Sequence, residues 1–136
     1  MIWKTKISLE EIRAKTENTL MEYLGIEFFS IGDDYLCARM LITNKVRQPM
    51  GILHGGASCA LAESVGSMAA SFCVKSDVVG LSLNTNHVRA LKAGIIYAKA
   101  QPLHLGRSTQ VWTIAITDET ERLVATSLLT MAVLSL

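Results

Sequence analysis

The stretch from Ala57 to Val74 constrains the fold more than any other part of the chain. It consists of small and apolar residues, and Glu63 is its one charged residue. A helix that is apolar nearly all round is typically a buried one. The many small side chains would let a sheet close tightly around such a helix. We therefore expect a long, buried central helix.

The second half of the chain alternates strand patterns with turn sequences. The strand-like segments are Val78–Val88, Ile95–Leu103, Thr109–Thr117 and Leu123–Leu134. Their short spacing predicts four consecutive antiparallel strands that form a meander. The expected fold class is α+β, an antiparallel sheet wrapped around one long central helix.

The first 42 residues predict a helix followed by a hairpin. Ser8 and Glu11 form a capping box, which indicates a helix start. We expect this helix to end before Gly25. Its apolar face would carry Ile12, Leu20 and Tyr23. The segment from Gly25 to Ile42 reads as two strands around a turn at Gly32.

Length and composition favour one domain that assembles with copies of itself. The 136 residues fit a single domain, 1–136, and half of them are hydrophobic while 18% are charged. Glu63 lies in the longest apolar stretch, where a charge costs about 2.5–3.5 kcal/mol in a membrane. The N-terminus has no continuous hydrophobic core of a signal peptide. We expect a cytoplasmic homo-oligomer without membrane insertion.

Charge and cysteine usage exclude other classes. The net charge of +1 provides no broad basic field for nucleic acid. The three cysteines are an odd number without CxxC spacing, and the three histidines lack the spacing of a metal motif. We therefore expect no nucleic-acid partner, no disulfide framework and no metal.

Glu63 is the leading candidate for catalysis. No lysine or arginine occurs between Ala57 and Val74, so no cation lies at the neighbouring helical positions. A desolvated carboxylate without a partner has a raised pKa, which suits a general base or nucleophile. The alternative is that Glu63 lies on a narrow solvent-facing stripe. Ser67, one turn later, could bond Glu63 or a water, or bond back to its own helix.

The residues before the central helix suit stabilisation of a developing oxyanion. His54, Gly55 and Gly56 precede the helix, whose first backbone N–H groups are unpaired and carry the positive end of the helix dipole. Glycine lets a ligand approach these groups closely. Gln48, in the preceding loop, could orient a carbonyl or a water. The alternative for His54 is a packing or capping role.

One continuous run of residues resembles a known family. The run QPMGILHGGASCALAESVGS, residues 48–67, resembles the hotdog-fold thioesterases of the phenylacetate-degradation type. Similarity extends over nearly the whole chain, through NHVR at 86–89 and PLHLG at 102–106. It is strongest toward members that hydrolyse 1,4-dihydroxy-2-naphthoyl-CoA in menaquinone synthesis or proofread aryl groups in enterobactin synthesis.

The resemblance implies a hydrolase that needs no cofactor, because CoA is part of the substrate. Glu63 matches the catalytic carboxylate, acting as nucleophile or general base, and Gly55 matches the residue whose amide polarises the thioester carbonyl. Gln48, His54 and Ser67 match residues that position the thioester or the attacking water. The positions around bound CoA and its phosphates would be Gly80, His87, Val88, Arg89, Ala90, His104, Leu105, Gly106, Arg107, Ser108 and Thr109. In this family the active site lies between subunits, and two dimers commonly form a tetramer.

The acyl group is left open by the sequence. An aryl ring could lie in a pocket near Met50, Met68 and Phe72, and flexible methionines would tolerate several acyl groups. The alternatives are a broad proofreading thioesterase acting on aryl groups loaded on a carrier protein and a non-catalytic acyl-CoA-binding hotdog protein. A dehydratase of the same fold is disfavoured because we find no hydratase-like Asp/His arrangement.

Overall fold

The computed structural model describes residues 1–135, which form one antiparallel sheet packed against a central helix. The helices are α1 (Leu9–Thr16), α2 (Leu20–Leu24) and α3 (Gly55–Ser71), with a 3-10 turn at Asn44–Val46. The strands are β1 (Glu27–Ile31), β2 (Leu36–Leu41), β3 (Val78–His87), β4 (Ile95–Leu105), β5 (Thr109–Thr117) and β6 (Leu123–Val133). This confirms the predicted fold class, the hotdog arrangement of a sheet around a helix.

The central helix is buried along most of its length, as its composition predicted. Leu61 and Val65 have no solvent exposure, and they belong to the same apolar core as Trp112, Ile114 and Leu129 of the sheet. The helix contacts strands β2 to β6. At Gly66 the helix comes so close that an added Cβ would lie 2.5 Å from Leu129 Cδ2. Small residues therefore allow the close packing that the sequence indicated.

The sheet order differs from the predicted meander. The six strands lie in the order β1-β2-β4-β5-β6-β3, so of the four strands expected in the meander, β4, β5 and β6 are joined as consecutive hairpins and β3 is not. Strand β4 pairs with β2 on one side and β5 on the other, which leaves β3 no place beside it. Strand β3 instead pairs with β6 over most of its length and forms one edge of the sheet. The prediction of a four-strand meander was wrong at β3.

The N-terminal helix is also interrupted. Ser8 caps α1 as predicted, its Oγ accepting a hydrogen bond from the Glu11 N–H at 3.1 Å. The helix ends at Thr16, Asn18 follows with a left-handed φ of 60°, and α2 begins at Leu20. Ile12 is buried, but Leu20 and Tyr23 are 61% and 62% exposed. One continuous helix to Gly25 was therefore a wrong prediction.

No helix in the described part of the chain is both long and apolar enough to cross a membrane.

Candidate active site

Within residues 1–135, one backbone N–H at the N-terminus of α3 has no protein acceptor. His54 caps the helix, and its Nδ1 accepts a hydrogen bond from the Gly56 N–H at 2.7 Å. The His54 carbonyl accepts from Ala57 and Ser58. Among the described residues, no acceptor is found for the Gly55 N–H. Capping therefore leaves the Gly55 amide as the donor available to a ligand, at the positive end of the helix dipole.

Gln48 is held beside this helix end by a tight turn. Its backbone N–H donates to the Ile52 carbonyl at 2.8 Å, and its Oε1 accepts from the Met50 N–H. Because the carboxamide oxygen is engaged, the NH₂ end is the group left to donate to a ligand. Gln48 and Gly55 line one cleft of about 410 Å³, called the amide cleft here. Its other lining residues are Ile52, Leu53, Ser58, His87, Val88, Arg89, Ala90 and Val124.

His87 forms the opposite wall of the amide cleft. A Cβ placed on Gly55 would lie 3.0 Å from His87 Nε2, so a side chain at Gly55 would displace the imidazole. The Cys59 thiol lies 4.0 Å from the same nitrogen. The absence of a side chain at Gly55 therefore leaves room for the His87 imidazole beside the free amide. The sequence did not predict that the Cys59 thiol lies near His87, because the two residues are 28 positions apart and no local pattern links them.

Glu63 lies on a second cleft, of about 540 Å³, called the carboxylate cleft here. Within residues 1–135 its side chain forms no ion pair and no hydrogen bond. The predicted burial is not found in the single chain, where Glu63 is exposed, because the opposite face of α3 is the one that packs on the sheet. The carboxylate is thus unpartnered and open to a ligand. Other lining residues are Lys15, Leu20, Met21, Ala60, Ser64, Ser67, Met68, Ser71 and Val78.

Ser67 shares this cleft with Glu63 but does not bond to it. Its hydroxyl donates instead to Met131 Sδ at 3.6 Å. Met131 is 1% exposed on β6, and no pattern in the sequence predicts this contact. Of the predicted aryl-pocket residues, Met68 lines the carboxylate cleft. Met50 is 81% exposed on the loop after Gln48, and Phe72 is 2% exposed in the core, so neither lines that cleft within one chain.

The two clefts lie at opposite ends of the same helix segment. Gly55 and Glu63 are eight positions apart in α3. At 1.5 Å rise per residue, this separation is about 12 Å. One thioester carbonyl cannot contact both groups at once, since an oxyanion donor must lie about 2.7–3.1 Å from the oxygen. A single chain therefore holds the two halves of a site without joining them.

The predicted CoA-binding residues are distributed over three places. Gly80 lies against Glu63, and His87 to Ala90 line the amide cleft. Arg107 and Ser108 line a third cleft of about 470 Å³. Lys75 and Ser76 form part of its wall and were not predicted. His104, Leu105 and Arg107 are exposed, and the Gly106 N–H donates to the Thr109 carbonyl at 2.8 Å.

The resolved pKa shifts occur outside these clefts. Burial opposes ionisation of Asp118, but hydrogen bonds from Arg122 and Thr120 outweigh it and lower the pKa of this carboxyl from 3.8 to about 2. Burial raises the pKa of the Cys73 thiol from 9.0 to about 12, and that of Cys37 upward as well. Asp118, Cys73 and Cys37 belong to the surrounding fold and do not line the clefts described above. In the described part of the chain, no three His, Cys, Asp or Glu side chains cluster as metal ligands would.

Comparisons with known proteins agree on the family. The 1,4-dihydroxy-2-naphthoyl-CoA hydrolase of Escherichia coli is 48% identical over 136 residues, covering 98% of this chain and 100% of that protein. The proofreading thioesterase EntH of Cronobacter turicensis is 46% identical, covering 98% and 99%. A crystal structure of a mutant thioesterase from Pseudomonas aeruginosa superposes with a TM-score of 0.97 at 40% identity, covering 100% of both chains.

A family model described as the thioesterase superfamily matches residues 50–125, a range that includes Gly55, Glu63 and Gly80. The chain belongs to the thioesterase superfamily and is a thioester hydrolase with the hotdog fold.

Proposed function

We propose that the protein hydrolyses an aryl- or acyl-CoA thioester to the free acid and CoA, in a site formed between two copies of the chain. The observation that carries this proposal is the pair of complementary groups on α3. Its N-terminus offers the free Gly55 amide, and its middle offers the unpartnered Glu63 carboxylate. The first suits a developing oxyanion, and the second suits a nucleophile or general base.

Strand β3 supplies the reason for a second copy. It is an edge strand without lysine, arginine, aspartate or glutamate, and Val79 and Leu81 on it are 47% and 60% exposed. Natural proteins rarely leave such an edge unpaired. Gly80 near its start adjoins Glu63, whereas His87 at its end adjoins Gly55. Antiparallel two-fold pairing of β3 with its copy places the start of one strand beside the end of the other. That pairing brings Glu63 of one copy toward Gly55 of the partner.

The reaction then follows from the positions of these groups. The thioester oxygen accepts a hydrogen bond from the Gly55 N–H, which stabilises negative charge on it. Glu63 either attacks the carbonyl carbon, forming an anhydride that water later opens, or removes a proton from a water that attacks instead. In both routes the carbon–sulfur bond breaks and CoA leaves as thiolate, which takes up a proton. Gln48, His54 and Ser67 position the thioester or the water. Residues 87–90 and 104–109, with Arg89 and Arg107, hold the CoA phosphates.

The carboxylate cleft suits an aryl or medium acyl group. Its volume of about 540 Å³ lies within the usual range for small-molecule sites, and Leu20, Met21 and Met68 give it an apolar wall. By the name of its Escherichia coli relative, we propose 1,4-dihydroxy-2-naphthoyl-CoA, and with it menaquinone synthesis, as the first candidate. The comparable identity to a proofreading thioesterase favours a second candidate, an aryl group on a carrier protein. A non-catalytic acyl-CoA-binding role ranks lower, because Glu63 is present.

Assembly and location complete the proposal. Leu103 and Leu128, on β4 and β6, are 65% and 44% exposed, and this apolar area supports the association of two dimers into a tetramer. The three cysteines are unpaired, which is typical of a reducing compartment and supports a cytoplasmic location.

The test is thiol release from 1,4-dihydroxy-2-naphthoyl-CoA, benzoyl-CoA, hexanoyl-CoA and one aryl-loaded carrier protein. Glu63→Gln should lower kcat by about 10²–10⁴-fold, the usual contribution of general-base assistance. Glu10→Gln, which changes an exposed carboxylate in α1, is the matched control. Full activity of Glu63→Gln on every substrate would refute the role of Glu63. No hydrolysis by the wild type would favour the acyl-CoA-binding alternative.

The composite site has its own test. Glu63→Gln and Gly55→Ala should each lose most of the wild-type kcat, but a mixed dimer of the two restores one intact site. Activity on mixing, after subunit exchange, supports a site between copies. Absence of any recovery, with exchange verified by mass, contradicts it.

A further inference from the structure

Gly80 lies closer to the Glu63 carboxylate than a side chain would allow. A Cβ built on Gly80 would be 2.7 Å from Glu63 Oε2 and 3.8 Å from Glu63 Cδ. Gly80 does not have a positive φ, so the backbone conformation itself accepts any residue. Space for the carboxylate, and not backbone geometry, is therefore what calls for glycine at this position.

The surrounding strand fixes where Gly80 lies. Gly80 pairs with Met131 of β6, and the register between the two strands shifts between Gly80 and Ser82. Met131 Sδ is 3.9 Å from the same Cβ position and accepts the hydrogen bond from Ser67. The Met131 thioether thus adjoins both Gly80 and Ser67, and Gly80 also adjoins the Glu63 carboxylate. Strand β3 at this bulge defines one limit to where that carboxylate can lie.

We propose that Gly80 is a positioning residue for Glu63, in addition to any contact it makes with CoA. Its missing side chain lets the carboxylate lie against β3, in the direction from which it reaches the thioester or the water. The inference rests on the catalytic role proposed for Glu63. A methyl group at Gly80 would push Oε2 away from the strand. Because that oxygen is the far end of a flexible side chain, the fold can accommodate the change while the reacting atom moves.

The expected consequence is a loss of kcat without a matching loss of binding. A displacement of about 1 Å in a reacting group can cost about 10²-fold in rate. Gly80→Ala should therefore lower kcat for benzoyl-CoA by about 10- to 100-fold, with KM changed less than about 3-fold. Ser82→Ala, on the other side of the same bulge, is the control and should retain the wild-type kcat. If the role of Gly80 were confined to binding CoA, Gly80→Ala would raise KM and leave kcat unchanged, which would overturn the inference.

A thermal unfolding cycle tests the same contact without relying on activity. The melting temperature would be measured for the wild type, Gly80→Ala, Glu63→Ala and the double variant, at one protein concentration. Removing the carboxylate removes the steric conflict, so Gly80→Ala should be less harmful, or stabilising, in the Glu63→Ala background. If Gly80→Ala folds too poorly for kinetics, the double variant must recover the lost melting temperature. Equal shifts in both backgrounds would contradict the proposed contact.

The two proposals fail in different ways. Wild-type turnover by Glu63→Gln would refute the catalytic role of Glu63 itself. An inactive Glu63→Gln together with wild-type kcat in Gly80→Ala would refute only the positioning role of Gly80.

Discussion

Substitution of Gly66 by alanine should destabilise the protein, although glycine in a helix is ordinarily the less stable choice. In an exposed helix, the change from glycine to alanine gains about 0.8–1.0 kcal/mol. Here the new Cβ would lie 2.5 Å from Leu129 Cδ2 and 3.2 Å from Ile114 Cδ1. Both side chains have no solvent exposure and cannot move outward. Overpacking of a well-filled core costs about 1–3 kcal/mol.

A contact of 2.5 Å is closer than real Cβ contacts come, so the overpacking cost lies in the upper part of its range, about 2–3 kcal/mol. Subtracting the gain in helix propensity leaves a net loss of about 1–2 kcal/mol. The unfolding entropy scales as about 2.1 cal/mol/K per residue, so for a chain of 136 residues the melting temperature should fall by about 3–7 °C. The assay is thermal unfolding followed by circular dichroism, at a single protein concentration because a dimer is expected.

A double-variant cycle tests whether the effect of Gly66→Ala comes from the contact with Leu129. Leu129→Val removes the methyl group that the new Cβ would meet, so it should cost less in the Gly66→Ala background than in the wild type. A Gly66→Ala protein as stable as the wild type, or more stable, would refute the conclusion that α3 and the sheet are in steric contact at this position.

Three further expectations concern other parts of the molecule. The lowered pKa of Asp118 stabilises the fold fully above about pH 4, and this contribution is lost as the pH falls toward 2. The free energy of unfolding of Asp118→Asn, measured in urea, should therefore approach that of the wild type as the pH falls over that range. Cys73, whose pKa is raised to about 12, should resist iodoacetamide at pH 8 in the folded protein, while the half-exposed Cys59 reacts. Mass analysis should show labelling of Cys73 only after unfolding. Gly55→Ala keeps the amide, but its methyl group would lie 3.0 Å from His87 Nε2 and crowd the space where the thioester oxygen approaches that amide, so kcat should fall by up to about 10²–10³-fold, the cost of losing an oxyanion donor; unchanged steady-state kinetics would argue against an oxyanion role for the Gly55 amide.

Local patterns in the sequence predicted the central helix and its strands well. The α3 helix follows from a run with one charge, and the turn residues separated β4, β5 and β6 correctly. The position of β3 could not be predicted, because strand order depends on which edges remain free after the other strands have paired. The break at Asn18 depends on one left-handed residue, which no apolar periodicity reveals.

The candidate site was predictable as a set of residues but not as an arrangement. Gly55 and Glu63 were identified because each has a chemical signature in the sequence. The contacts of Gly80 with Glu63 and of Ser67 with Met131 were not, because they join elements that are distant along the chain. The expected desolvation of Glu63 is absent from one chain, where its surroundings include only half of the proposed site.

The carboxylate cleft is lined by two parts of the chain that differ in how they pack against the core. Glu63 and Ser67 lie on α3, whose seating in the core limits how that helix can vary. Leu20 and Met21 lie on α2, a five-residue helix without a buried residue. Leu20 is 61% exposed, so its substitution can reshape the wall around the proposed acyl group at little cost to folding. Selection for a new substrate has a route through this peripheral helix that leaves the reacting groups in place.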